Sequence, residues 1–271
     1  MKIKGALLSG LLLISLLSFA QDDQWDVYLA QYEKGPGSTL INMALKGVAP
    51  MKEYPFLLKT GVKAINCPPD GLIADGEELK VLYAISDKMK SIIDFTVKNK
   101  EAGTFSYQCS RTDYYYVNDT DNIRKLLVSA YKKYFPKYEY TIEIKEDRNW
   151  DAYLQFLYPN EETKEFMANS KVILSLTNAG DSLTKPRQVD HWLYFKNEAD
   201  RNSFISYATH EKFKIESKGL AKTSALPYKL QISRIDKVDL PSITAITQIL
   251  RKKAKELNGD YDGWETFVIK E

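Results

Sequence analysis

Asn258-Gly259-Asp260-Tyr261-Asp262-Gly263-Trp264-Glu265-Thr266-Phe267-Val268-Ile269 follows directly on a long helical pattern. Asn258-Gly259 is a helix-ending pair, because glycine accepts the left-handed conformation that closes a helix. Asp262-Gly263 supplies a tight turn. The stretch then predicts a strand from about 264 to 269. Working backwards, Pro241-Ser242 opens a helix with Ile243, Ile246, Leu250, Ala254 and Leu257 inward. Strands are predicted over 228–235 and 213–217, a helix over 198–209, and a strand over 188–195. A leading helix over 161–179 ends at Gly180. After that helix the order is β-α-β-β-α-β, the order of a ferredoxin-like split fold.

Tyr158-Pro159-Asn160 interrupts two periodic segments and is the best domain boundary. It divides the chain into 21–159 and 160–271. The first unit opens on an alternating strand, Trp25 to Tyr32, and turns at Lys34-Gly35-Pro36-Gly37-Ser38. A return arm over 39–45 and a strand over 56–67 follow, until Pro68-Pro69-Asp70-Gly71 breaks the chain. Asp75, with Glu78 as reciprocal partner, caps a long helix whose inward stripe is Leu79, Leu82, Tyr83, Met89, Ile93 and Val97. Strands over 103–109 and 114–117, joined by 110–113, precede a helix over 123–135 and a strand over 138–145. The fold class is α+β: two α/β sandwich domains with mainly antiparallel sheets, the second ferredoxin-like.

Met1-Lys2-Ile3-Lys4 is a short basic segment, and Gly5 to Phe19 is an apolar run too short for a membrane span. Ser18 and Ala20 are the small residues of a signal-peptide cleavage site before Gln21. Residues 1–20 are therefore expected to be a signal peptide, and the mature protein to be exported, periplasmic or secreted, with no later membrane span. The chain carries 38 basic and 36 acidic side chains, and removing Lys2 and Lys4 leaves 36 of each. A neutral mature chain argues against non-specific nucleic-acid binding. In an exported chain Cys67 and Cys109 form either one disulfide or two buried thiols. Two cysteines and two scattered histidines, His191 and His210, are too few for a structural zinc site.

Several stretches of the second unit carry a resemblance. They are Gly180-Asp181, then Pro186-Arg187-Gln188-Val189-Asp190-His191-Trp192-Leu193-Tyr194-Phe195, and Gly259-Asp260-Tyr261-Asp262-Gly263-Trp264. On these the unit resembles the ribonuclease E regulator B family, RraB, over roughly the last 110 residues. The first unit is similar to a bacterial family called domain of unknown function 695, through Trp25, Tyr28, Trp150-Asp151, Tyr153 and Pro159. The resemblance implies a ferredoxin-like fold and binding of a protein partner without catalysis. In the better-known members that partner is a cytoplasmic endoribonuclease. The leader and the balanced charge set this chain apart from them, so the fold and the binding role carry over and the partner does not.

In a ferredoxin-like sheet the first and last strands lie side by side. That brings Asp262 and Trp264 near Arg187 and His191. Arg187 is expected to bridge Asp181 or Asp262 in a bidentate pair. Trp264 should pack on the sheet, and Tyr261 should bury its ring while its hydroxyl hydrogen-bonds. The six residues Asp181, Arg187, His191, Tyr261, Asp262 and Trp264 are thus a structural corner or a partner-contact patch. Asp260 and Asp262 have calcium-loop spacing, but Trp264 stands where the next ligand belongs, so no metal is expected.

His191 lacks the companions of a catalytic site: there is no Gly-x-Ser-x-Gly elbow, and His210-Glu211 lacks a second zincin histidine. Tyr114-Tyr115-Tyr116 reads as strand packing, with at most two rings on one face. Arg251, Lys252, Lys253 and Lys255 read as a solvated helix end. Nothing implies a cofactor. The reading is an exported, non-catalytic binding or regulatory protein with an unknown protein or peptide partner. Its rivals are an envelope hydrolase with an unmarked carboxylate or histidine site, and a cytoplasmic ribonuclease regulator with an unused leader.

Overall fold

A computed structural model describes residues 23–73, 75–221 and 224–270. The leader assigned to 1–20 lies outside the described residues. Among the described residues no helix is long and apolar enough to cross a membrane.

The first half is built on one antiparallel sheet. Its strands are β1 (Trp25–Tyr32), β2 (Gly35–Asn42), β3 (Phe56–Lys63), β4 (Asn99–Tyr107), β5 (Ser110–Val117) and β6 (Glu139–Glu146). They lie in the order β1-β2-β4-β5-β3-β6. Helices α1 (Gly76–Thr96) and α2 (Ile123–Tyr134) cover one face. There Leu82, Ile85, Met89 and Ile93 from α1 and Leu127 and Tyr131 from α2 pack on Leu58, Tyr115 and Val117. Tyr83, expected in the inward stripe, is nearly half exposed and lies under the Arg111 guanidinium instead. Asp75 precedes α1 but makes no capping bond. The Glu78 carboxylate instead accepts the Ile65 N–H at 2.9 Å, tying the end of the β3 segment to the helix.

The opposite face carries a second core of Tyr28, Ile41, Leu57, Tyr114, Tyr116, Trp150, Tyr153 and Leu157. A π-helical turn, Ala152–Leu157, lies over it. The Trp150 indole stacks on the Tyr116 ring, 3.9 Å between centroids. Buried polar tips are satisfied: Trp150 Nε1 donates to the Tyr54 carbonyl, Tyr153 Oη to the Asn42 carbonyl and Tyr28 Oη to the Leu157 carbonyl. The three consecutive tyrosines are all buried. Tyr115 faces the helices, and Tyr114 and Tyr116 face the second core. The β4–β5 turn is Gln108-Cys109, both at positive φ, and not 110–113 as the sequence suggests. A two-residue hairpin of this hand matches the twist of its strands.

The second half begins with α3 (Glu161–Asn178), capped by Asn160 through the Thr163 N–H. It continues through β7 (Arg187–Phe195), α4 (Glu198–His210), β8 (Lys214–Leu220), β9 (Tyr228–Asp236), α5 (Leu240–Glu256) and β10 (Gly259–Glu265). The sheet order is β10-β7-β9-β8, all antiparallel, which is the ferredoxin-like arrangement. Leu193, Phe195, Phe204, Leu230, Ile232, Leu250 and Tyr261 form the core between this sheet and α4 and α5. The predicted last strand is displaced. The stretch 259–265 is itself the strand, and 266–269 is an irregular tail. Gly259 permits this, because a Cβ there would lie 2.5 Å from the Phe195 ring and 2.8 Å from the Tyr194 carbonyl.

Candidate functional site

β7 and β10 lie side by side, Trp264 opposite His191 and Tyr261 opposite Leu193. Asp262 is the extra residue of a bulge between Tyr261 and Gly263, so it does not form the tight turn expected of Asp-Gly. Gly263, at φ +150°, takes up the bulge conformation. The bulge lets both Tyr261 and Trp264 point into the core although three positions separate them.

The structure gathers five of the six candidate residues beneath the sheet surface. Asp181, Arg187, His191, Tyr261 and Trp264 are buried, and Asp262 is exposed. Arg187 bridges Asp181, not Asp262. Its two terminal nitrogens donate to the two Asp181 oxygens in a buried bidentate pair. Asp181 also accepts the Leu183 and Ile269 N–H groups, each at 2.8 Å. Arg187 Nη1 donates to the Phe267 carbonyl at 3.2 Å as well. Arg187, followed by the two N–H groups, holds the Asp181 carboxyl well below the usual carboxylate range, against the opposing effect of burial. The pair is a clasp: it fastens the tail 267–269 to the start of β7.

His191 Nδ1 and Tyr261 Oη are 2.9 Å apart. His191 Nε2 is buried and has no hydrogen-bond partner among the described residues. Burial first, and the Arg234 charge second, depress the imidazole to about 3, so the ring is neutral at ordinary pH. Burial pushes the Tyr261 phenol well up. A neutral, enclosed imidazole cannot exchange a proton with a solvent-borne substrate in this conformation. Trp264 Nε1 donates to Asn169 Oδ1 at 2.8 Å, and Asn169 Nδ2 donates to Thr247 Oγ1 at 2.9 Å.

Sequence reasoning missed three members of this network. Asn169, Glu165 and Arg251 carry no recognisable motif, and only the packing of α3 on α5 brings them in. Arg251, read as part of a solvated helix end, is only 25% exposed; it pairs with Glu165 and lies over the Tyr261 ring. Lys252 and Lys255 are exposed as expected. Cys67 and Cys109 are joined in a disulfide, with Cα atoms 5.6 Å apart.

Residues 23–158, half of the chain, match the model of a family of unknown function, DUF695. The chain belongs to the DUF695 family. Its C-terminal residues 166–266 match the model described as Regulator of ribonuclease activity B, RraB. In the DUF695 region Tyr28, Trp150 and Tyr153 build the second core, whereas Trp25 and Asp151, which also carry the resemblance, are exposed. In the RraB region the matching stretches fall on β7, β10 and the Asp181–Arg187 clasp.

No curated protein matches the chain significantly. Among solved structures, a putative glycine cleavage system transcriptional repressor is 9% identical, with a TM-score of 0.25, covering 78% of this chain and 98% of its own. An unknown protein from Galdieria sulphuraria is 10% identical, with a TM-score of 0.22, covering 79% of this chain and 99% of its own. Scores this low assign no fold.

Proposed function

We propose that this DUF695 protein is an exported, non-catalytic regulator that acts by binding a protein partner through its RraB region. The observation that carries the reading is the match of 166–266 to a regulator family. The geometry supports it, because the titratable groups gathered at β7 and β10 serve the fold. Asp181 and Arg187 are spent on the tail, and His191 is sealed and neutral. Export is supported by the leader-like sequence before Gln21 and by the Cys67–Cys109 disulfide, which suits an oxidising compartment. The partner is then an envelope or extracellular protein and not a cytoplasmic ribonuclease.

The test is cross-linking in intact cells with tagged full-length chain, joined to N-terminal sequencing of the recovered protein. The expected result is a chain beginning at Gln21 and cross-linked to one dominant envelope protein. An intact leader on cytoplasmic protein, or no cross-linked protein at saturating reagent, overturns the proposal.

A further inference from the structure

Among the described residues the four-stranded sheet has helices on one face only. Along β7 the buried residues Arg187, Val189, His191, Leu193 and Phe195 alternate with Gln188, Asp190, Trp192 and Tyr194, which point to the other side. Trp192 and Tyr194 are half-buried and belong to none of the hydrophobic clusters. Two aromatic rings therefore lie on a sheet face that no described element packs against.

The charge beside them is acidic on the β10 side, and the one cation paired across from them is Lys229 of β9, opposite Tyr194. Asp190 is on the same face, and register places Glu265 opposite Asp190, Gly263 opposite Trp192 and Asp260 opposite Tyr194. Asp262 is exposed at the bulge beside Gly263. Among the described residues Asp190, Asp262 and Glu265 make no ion pair, and Asp260 has only a long contact with Arg251, 3.5 Å. Asp190 is instead fixed by neutral amides, Gln188 Nε2 and Gln231 Nε2, each at 3.1 Å. Gln231 is oriented in turn by Ser217, 3.1 Å away. A polar chain across β8, β9 and β7 thus holds a carboxylate next to Trp192 without neutralising it. The space over Gly263, paired across from Trp192, is open, for a Cβ there would meet no atom within 4 Å.

We infer that this open face is the docking surface for an arginine-rich segment of a protein partner. A guanidinium stacks on the indole of Trp192 while its N–H groups reach the carboxylates of Asp190 and Glu265. Arginine suits the face better than lysine, because its plane is weakly hydrated, stacks on aromatic rings and pairs with carboxylates bidentately. A nucleic acid suits it poorly: bases stack on such rings, but the carboxylates repel phosphates. Lys229, 5.8 Å from the Tyr194 ring centre, marks the end of the acidic strip towards β9.

The inference rests on the proposed binding role and deepens it. The test is calorimetric titration of the mature full chain with four probes of about twelve residues each: arginine–serine, lysine–serine and glutamate–serine peptides and a single-stranded RNA. The arginine peptide should bind tightest and weaken as salt rises. Trp192→Ala should weaken it about tenfold or more, and Trp192→Phe should restore most of the loss. Asp190→Asn with Glu265→Gln should flatten the salt dependence, and decides the matter if Trp192→Ala unfolds. No binding of the arginine peptide, equal binding by Trp192→Ala, or preference for the RNA or the glutamate peptide overturns the inference. A cross-linked partner that binds Trp192→Ala as well as the parent would sink this surface and leave the binding role standing. Failure to cross-link any protein would sink the binding role itself.

Discussion

The two sheets of this protein are treated differently by their surroundings. The six-stranded sheet is packed on both faces, by α1 and α2 on one side and by the Trp150–Leu157 segment on the other. Among the described residues the four-stranded sheet is packed on one. The difference is written in the strands. Tyr114, Tyr115, Tyr116 and Val117 of β5 are all buried, whereas β7 alternates buried with half-buried. A strand with no polar side reads as doubly covered; a strand with a strict period of two reads as having a free face. In the first sheet aromatic rings are structure. In the second, the rings on the free face are available for something else.

The sharpest way to break this comparison is at Trp150. If the second face of the large sheet is a true core, Trp150→Ala removes the ring stacked on Tyr116 and costs about 4 kcal/mol of unfolding free energy in urea. A loss under about 1 kcal/mol, on the scale of a surface substitution, would make that face a decorated surface. Asp181→Ala comes next. It leaves the Arg187 guanidinium buried without its partner and should cost about 3 to 4 kcal/mol. It should also release the tail 267–269 to limited proteolysis, and a tail that stays protected would mean that the clasp is not what fastens it. Trp264→Ala should cost about 3 kcal/mol, being a large-to-small change on the covered side of the small sheet.

A pH titration sharpens the same contrast. His191 sits near its ordinary value of about 6.5 when unfolded and is depressed to about 3 when folded. The folded state therefore binds fewer protons across that window. The stability owed to the neutral ring is complete above pH 6.5 and falls as pH drops towards 3, by up to about 1.4 kcal/mol per pH unit. His191→Asn should remove that part of the slope, and identical slopes in parent and variant would show that the ring is not sealed. The smallest effect is expected on the free face. Trp192→Ala should change stability by within about 0.5 kcal/mol, as measured by urea unfolding. A large loss there would mean that the indole belongs to a core after all.

Helices and their order are readable from the sequence through periodic apolar residues and, for three of them, a stop: Pro136 after α2, Gly180 after α3, Asn258 after α5. The ferredoxin-like order followed from them. The sequence places the last strand about five residues late, because Asp-Gly reads as a turn and only pairing with β7 reveals a bulge. The sequence does not reveal the β4–β5 turn, because Gln108 and Cys109 are unusual choices for positive φ. In the candidate site, adjacency of β7 and β10 was predictable and the choice of Asp181 over Asp262 was not. That choice depends on where the tail returns. Arg251 reads as solvated because helix-end cations usually are; its role depends on a carboxylate 86 residues away, Glu165.

One helix bears on how the two family regions were joined. Met167 of α3 packs into the second core of the DUF695 half, while Leu176 of the same helix packs with Val189 and Trp264 of the other half. The RraB match begins at residue 166, inside that helix, beyond its Asn160 cap and first turn. The join is thus a shared part and not a tether. Exchanging either module for a homologue would bring a foreign helix face into one of the two cores, so a graft that keeps both cores intact has to carry α3 with matching faces on both sides.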